Sequence, residues 1–392
     1  MKLDDMLPEL HVRTAAIRRD IHAHPELAFN ERRTADVVAK KLDALGLAVH
    51  RGLAGTGVIG TLQAGSSGRA IGLRADMDAL PLDELNEFEH RSCHPGQMHA
   101  CGHDGHTAML LGAAEALAAL RSQGNFDGTV HFIFQPAEEG DGGGRVMVEQ
   151  GLFDKFPMQQ VFGLHNWPGH PVGEMAILTG PAMAGADHFN IVVTGRGGHA
   201  AMPHQAADTL VAASALVQSL QTLVSRNTEP FEPAVLSVTR FHAGHADNVL
   251  PEEAVLGGTV RTFSVAQQSL MEAGMRRICD GIAATYGVSI ALNFVHGYPP
   301  TINSAKESAL CHAVAAQVFG SDKVRGDLRP SMGAEDFAFL LRVRPGCYVW
   351  LGNGPGEGGC MLHSPHYDFN DDIIPLGIRY WVALVENLLA PV

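Results

Sequence analysis

Glu138 and Glu139 stand side by side in a Gly-rich stretch, downstream of the cluster Cys101-Gly102-His103-Asp104-Gly105-His106. Metal-assisted hydrolysis calls for both kinds of group. Thiolate, imidazole and carboxylate donors hold a divalent ion, and one further carboxylate is kept off the metal to move a proton. Two isolated histidines, His165 after Phe162-Gly163-Leu164 and His363 before Ser364-Pro365, add candidate donors. The combination points to a metal-dependent hydrolase.

Each piece also has a plainer reading. Cys101 and His103 could be a buried thiol and a polar turn histidine. Glu138-Glu139 could be the acidic start of a solvated helix, where the dipole favours carboxylates. His165 and His363, taken singly, could be structural. Against this, His99, Asp104 and His106 crowd the same Gly-rich turn, and so many imidazoles and carboxylates are expensive to bury without a metal or counter-ion. The apolar run after the turn, Thr107 to Leu120, puts it at the edge of a core.

The elements that must carry these groups are readable from periodicity. Met6 to His24 and Asn30 to Leu45 have helical spacing, with Gly46 placed as a C-terminal cap. Thr56 to Leu62 and Ala70 to Ala75 read as strands, and Thr107 to Leu120 as a helix. Thr129 to Phe134 and Gln160 to Leu164 are short β-rich runs, the first ending just before Glu138-Glu139 and the second at His165. Several candidate donors thus fall at strand C-termini, where open α/β sheets place their sites.

A second unit starts near Gly185: strand 188–194, helix 207–226, strands 234–241 and 254–263, helix 265–286 and strand 288–296. This βαββαβ order is the ferredoxin-like arrangement. Helix 305–319, strand 347–351 and helix 375–389 complete the first unit. The expected fold class is therefore α/β: a discontinuous metal-binding catalytic domain (1–184 and 299–392) with a mixed sheet flanked by helices, and an inserted α+β domain (185–298).

The chain has 392 residues, 46% of them hydrophobic, enough for a large core and more than one domain. A formal charge of −14 argues against nucleic acid as a partner. The N-terminus lacks the basic and apolar regions of a signal peptide, and no run is long enough to span a bilayer. The cysteines at 93, 101, 279, 311, 347 and 360 form no CxxC pair. A reducing, cytoplasmic setting is expected.

Three stretches carry a resemblance: Arg74-Ala75-Asp76-Met77-Asp78-Ala79-Leu80-Pro81, Met98 through His106, and Gln135-Pro136-Ala137-Glu138-Glu139-Gly140. They resemble the dinuclear-metal aminoacylase/carboxypeptidase family, in the branch of hippurate hydrolases, auxin–amino-acid conjugate hydrolases and bacterial N-acyl-amino-acid amidohydrolases. Gly197-Gly198-His199-Ala200, Asn248-Val249-Leu250-Pro251, Gly333-Ala334-Glu335-Asp336-Phe337 and His363-Ser364-Pro365 continue the match in order over nearly the whole chain. The resemblance implies two divalent ions held by Cys101, His103, Glu139, His165 and His363. It also implies Glu138 as general base and Asp78 as the carboxylate orienting the site. His199 would reach a partner subunit's active site, with the inserted domain serving as lid and as the interface of a homodimer or homotetramer. Zinc, manganese, cobalt or nickel suits mixed S, N and O donors.

Arg261, on an expected strand, is a candidate grip for a substrate carboxylate, because guanidinium binds carboxylate in bidentate fashion; a structural ion pair is the competing role. Asn248 could add a hydrogen bond, and Gly333 opens a stretch whose amides could meet an anion near a helix start. The expected reaction is hydrolysis of N-acyl amino acids to a carboxylic acid and a free amino acid. A dipeptidase or metallocarboxypeptidase is the nearest rival, and a non-catalytic metal- or small-molecule-binding protein is the rival from another class. No G-x-S-x-G elbow and no H-E-x-x-H helix is present.

Overall fold

The structure is a computed structural model that describes residues 2–355 and 361–391, so Cys360 lies outside the described residues. The chain divides into two compact units: Met1–Gly180 with Ile302–Arg329 and Asp336–Val392, and Pro181–Thr301 with Pro330–Glu335. The short 330–335 segment belongs to the second unit because Ser331 pairs there, its N–H donating to Ala182 O and its carbonyl accepting from Ala184 N (both 2.9 Å). No local pattern in the sequence announces that pairing.

The first unit is built on an eight-stranded mixed sheet. Four neighbouring strands in its middle, Gly128–Gln135, Ala70–Asp76, Gln160–Pro168 and Gly346–Gly354, run parallel. They are buried along nearly their whole length, as strands covered on both faces must be, and they read as continuous apolar runs for that reason. An antiparallel strand pair, Ala48–Leu53 and Gly57–Ala64, extends one edge. The Ala48–Leu53 strand was not expected, since its mostly exposed residues give it no alternation to read. Helices Leu3–Ala23, Arg32–Ala44, His103–Leu120 and Ile374–Leu388 share the core with this sheet.

The His103–Leu120 helix is buried over most of its surface, with Met109, Leu110, Leu111, Leu117 and Leu120 in the core and Glu115, Ala118 and Ala119 partly exposed. Each such side chain contributes roughly 1.5–3 kcal/mol on burial. The helix begins four residues earlier than its apolar run suggests, so His103, Asp104 and His106 lie in its first turn, not in a preceding loop. Gly102 makes this start possible: it holds φ 98°, a left-handed conformation that an L side chain resists. The strand carrying His165 likewise runs on to Pro168, so His165 lies within it and not at its end.

The second unit has a four-stranded antiparallel sheet made from Val235–Ala243, Glu253–Thr262, Gly185–Thr194 and Ser289–Tyr298, in that spatial order. Helices Thr209–Thr222 and Val265–Tyr286 cover one face, with Leu216, Leu220, Met271 and Met275 meeting Phe189, Ile191 and Val193. This is a βαββαβ fold of the ferredoxin-like type. The helix expected over 207–226 ends at Thr222 and passes into a π-helical turn, Leu223–Asn227. No helix among the described residues is long and apolar enough to cross a membrane.

Candidate metal centre

The carboxyl ends of the four parallel strands deliver the chemistry. Asp76 closes one strand, Glu138 and Glu139 follow the next, His165 lies on the third, and His363 comes after the fourth. Cys101 and His103 enter from the adjacent start of the buried helix. Among the donor groups that result, three unite the expected residues, each with its ligand atoms within 4.8 Å of one another: Cys101 with His103 and His165, Cys101 with Glu139 and His363, and His103 with Glu138 and Glu139. The five expected ligands and Glu138 are therefore brought together.

Two of the histidines are anchored through Nδ1, which turns Nε2 toward the other donors. His165 Nδ1 donates to Asn166 O (2.6 Å), which leaves Nε2 facing Cys101 Sγ at 3.4 Å. Burial, aided by the neighbouring His106, pushes His165 well below the ordinary histidine range, so the ring is neutral. His103 Nδ1 donates to Asp78 O (2.9 Å), and its Nε2 points toward Glu139 Oε1 at 4.0 Å. Burial works to lower His103, but Asp76, Asp78 and Glu139 overcome it and raise the ring to about 10. In this negative field a proton or a metal cation satisfies the same Nε2. His363 is half-exposed, takes φ 62°, and sets Nε2 at 3.2 Å from Glu139 Oε1.

The residues fit divalent metal. His103 Nε2 is buried with no hydrogen-bond partner, which a donor aimed at a cation should be. Burial and the nearby carboxylates of Glu139 and Glu138 push the Cys101 thiol far up, so a thiolate there requires added positive charge. A mixed S, N and O set of this size accommodates two such ions.

Asp78 holds the turn that presents both glutamates. Its Oδ1 accepts from Glu138 N and its Oδ2 from Glu139 N, each at 2.9 Å. Glu138 Oε1 in turn accepts from Asp336 N at 3.3 Å. Behind this lies a buried network in which Arg74 donates to Gln135 (2.9 Å), Asp76 (2.6 Å) and Asp336 (2.9 Å). Asp336 also accepts from Gly144 N at 2.7 Å. Burial works to raise Asp76, yet His103 and Arg74 hold it well below the usual carboxylate range.

Sequence similarity adds to this geometry. Residues 72–387 match the model of peptidase family M20/M25/M40. This chain belongs to that family. It is 41% identical over 373 residues to a hippurate hydrolase of Campylobacter jejuni, covering 95% of this chain and 96% of the relative. It is 44% identical over 299 residues to an N-acyl-L-amino acid amidohydrolase of Geobacillus stearothermophilus, covering 76% and 80%. Among solved structures it superimposes on a dinuclear metal binding peptidase of the M20 family from Bacillus subtilis with a TM-score of 0.86 at 33% identity, covering 98% of this chain and 100% of that one.

The remaining candidates lie in the second unit. His199 is exposed in a two-residue ladder with Val249; its Nδ1 accepts from Ala201 N (3.1 Å), which leaves the proton on Nε2. Asn248 is exposed, with its carbonyl accepting from Ala200 N at 3.0 Å. Arg261 donates to Val260 O at 3.1 Å, and burial lowers its pKa from the ordinary value. Gly333 differs from its expected setting: its N–H donates to Ser331 Oγ (3.0 Å), and the nearest helix begins only at Ala338.

Two histidines of the cluster do other work. His106 is held by Asp76 (2.7 Å) and Asn166 (2.8 Å) and braces the site. His99 is fully buried, lowered by burial to about 4, and joins none of the donor groups found among the described residues. Asn166, Glu31 and Tyr367, whose hydroxyl accepts from Asn166 Nδ2 at 2.6 Å, escape sequence reasoning because none lies in a metal-like pattern, and Arg74, though it heads one of the resembling stretches, is given no role there. Asp76 offered one signal: it stands two residues before Asp78 in the same resembling stretch.

Proposed function

We propose that this chain is a metal-dependent amidohydrolase that cleaves the amide bond of N-acyl amino acids, hippurate-like substrates among them, to a carboxylic acid and a free amino acid. The observation that carries the reading is the paired presentation of Glu138 and Glu139 on one carboxylate clamp, Asp78, beside three metal-type donor groups. The names of the relatives at 41% and 44% identity agree with it.

Cys101, His103, Glu139, His165 and His363 would hold two divalent ions, and the chemistry those ions would supply is Lewis acidity. Glu138 takes the water's proton and returns it to the departing amine. The Asp336 N–H oriented on Glu138 Oε1 fixes the base in one direction. His199, with its proton on Nε2, donates to the developing oxyanion from a neighbouring subunit of a homodimer or homotetramer, and the second unit acts as lid and interface. Arg261 and Asn248 hold the substrate's free carboxylate; Gly333 takes no part, because its N–H is engaged by Ser331 Oγ. The native ion is zinc, manganese, cobalt or nickel. A cytoplasmic location belongs to the same reading, supported by the five described cysteines being free thiols.

A panel of N-benzoyl and N-acetyl amino acids, assayed after chelation and again after metal add-back, tests the proposal. Turnover that is lost and then restored supports it; turnover indifferent to chelation refutes it. The Bacillus subtilis neighbour is named a peptidase, so dipeptides belong in the same panel. Faster cleavage of dipeptides than of any N-acyl amino acid would transfer the assignment to a dipeptidase.

A further inference from the structure

Glu31 is fully buried, 106 residues before Ala137, and the chemistry above makes no use of it. Its Oε1 accepts from Phe29 N (3.0 Å) and from Ala137 N (2.9 Å), and its Oε2 accepts from Thr56 Oγ1 (2.5 Å). Phe29 (φ 60°) and Ala137 (φ 57°) are both left-handed, and Ala54 (φ 51°) lies two residues before Thr56. Left-handed backbone is unfavourable for any residue with a Cβ, so these turns need something to hold them.

Helix capping does not explain Glu31. It stands immediately before the Arg32–Ala44 helix, yet its side chain makes no capping bond. Glu26 accepts from Arg33 N and Thr34 N instead, both at 2.9 Å. Burial lifts the Glu31 carboxyl to about 7, so the fold retains a costly group at this point.

Ala137 immediately precedes Glu138-Glu139. The successive N–H groups of Ala137, Glu138 and Glu139 therefore rest on two buried carboxylates, the first on Glu31 and the next two on Asp78. We infer that Glu31 is a positioning residue for the glutamate pair: by accepting from Ala137 N it holds the left-handed turn that aims Glu139 at the metal donors and Glu138 at the substrate side. The inference rests on the roles given to Glu138 and Glu139 under the proposed function.

Reach and charge separate cleanly at this position. Glu31→Gln keeps the acceptor oxygen and the length, whereas Glu31→Asp keeps the charge and loses a methylene. Calorimetric titration of the metal-free protein with zinc or manganese, together with kcat and KM on an N-acyl amino acid, gives the readout. E31Q should stay within about threefold of the unaltered protein in both measurements. E31D and E31A should weaken metal uptake about tenfold and lower kcat by about ten- to a hundredfold, with KM little changed, as expected for sub-ångström misplacement of reacting groups. Ala137→Gly in the E31D or E31A background should recover at least about threefold of the loss, because glycine adopts the left-handed turn unaided.

E31D behaving like the unaltered protein, E31Q being more damaged than E31D, or glycine at 137 recovering nothing would each overturn the inference. If E31A does not fold, the order of E31Q and E31D decides. The titration needs no substrate, so weakened uptake in E31D alongside an unaltered protein that hydrolyses no N-acyl amino acid would sink the proposed function and leave this positioning role standing.

Discussion

Gly102→Ala is the substitution whose cost the structure defines best. Gly102 holds φ 98°, and a Cβ placed there would sit 2.1 Å from Asn166 Oδ1 and 2.6 Å from Tyr367 Oη. Left-handed backbone costs a non-glycine residue roughly 1–2 kcal/mol. Forcing extra atoms into a packed interior adds about 1–3 kcal/mol. The sum is about 2–5 kcal/mol. Gly46→Ala supplies an internal control, since Gly46 has φ 75° but nothing within 4 Å of its would-be Cβ. It should show the backbone cost of about 1–2 kcal/mol alone. For a unit of this size each kcal/mol shifts the melting midpoint by about 2–4 °C. G102A in chelator should therefore melt about 4–20 °C lower and G46A about 2–8 °C lower, with metal removed so that binding does not mask the difference. The functional consequence separates them further. Cys101 and His103 flank Gly102, and Asn166, which the added methyl would displace, holds both His106 and the Nδ1 proton of His165. G102A should weaken metal uptake by at least about tenfold in calorimetric titration, while G46A leaves it unchanged. Equal effects of the two substitutions, on melting and on metal uptake, would refute the argument that Gly102 is required by the Asn166–Tyr367 wall and by the donors on either side of it.

Four further outcomes are expected. Glu138→Gln should abolish turnover while leaving metal content unchanged by elemental analysis; retained activity removes Glu138 as base. His131 is stripped of water by the sheet and lowered by burial to about 4, against an ordinary 6.5, so it is charged only in the unfolded chain between those values. The unfolded state then binds more protons, stability falls as pH drops from about 6.5 to 4, and His131→Gln should remove about 3 kcal/mol of that loss. Glu31 has the opposite sign: raised by burial from 4.5 to about 7, it keeps its proton in the folded state, so stability falls as pH rises from about 4.5 to 7. Denaturation of E31Q at pH 8 and pH 5 should show it gaining up to about 3 kcal/mol at the higher pH relative to the unaltered protein, and no pH-dependent gain would refute the shift. Arg261→Ala should raise KM for substrates bearing a free carboxylate; an equal rise for carboxylate-free amides would argue against that grip.

The donors of this site were legible because each belongs to a residue type that is costly to bury unpaired, and several stand close in sequence. Cys101-x-His103 and Glu138-Glu139 are visible in that way, as are the apolar strands that end beside them. The start of the central helix lies four residues before its apolar run for a physical reason. His103, Asp104 and His106 look like loop residues, and the partners that let them enter a buried helical turn are distant: Arg18 (2.9 Å) and His22 (2.8 Å) on Asp104, and Asp76 (2.7 Å) on His106. Arg18 reaches further still, to Asp368, 350 residues along the chain. Breaking such a pair from one side leaves a buried charge and costs about 3–5 kcal/mol, so the sequence is strongly constrained at positions where no local motif marks it.

The supports of the glutamate pair are harder to read for a different reason. Asp78 and Glu31 act on backbone N–H groups, and every residue except proline offers one, so nothing in the side chains of 137–139 identifies the carboxylate that holds them. Donors betray themselves by residue type, whereas the groups that aim them recognise main chain and leave only an unexplained buried carboxyl group. Arg74 and Asp336, 262 residues apart, extend the same logic to the far side of Glu138, where a fixed side chain places a backbone amide on the base. A buried carboxylate whose partners are amides of left-handed residues is therefore the mark to seek when the reacting groups of such a site are already in hand.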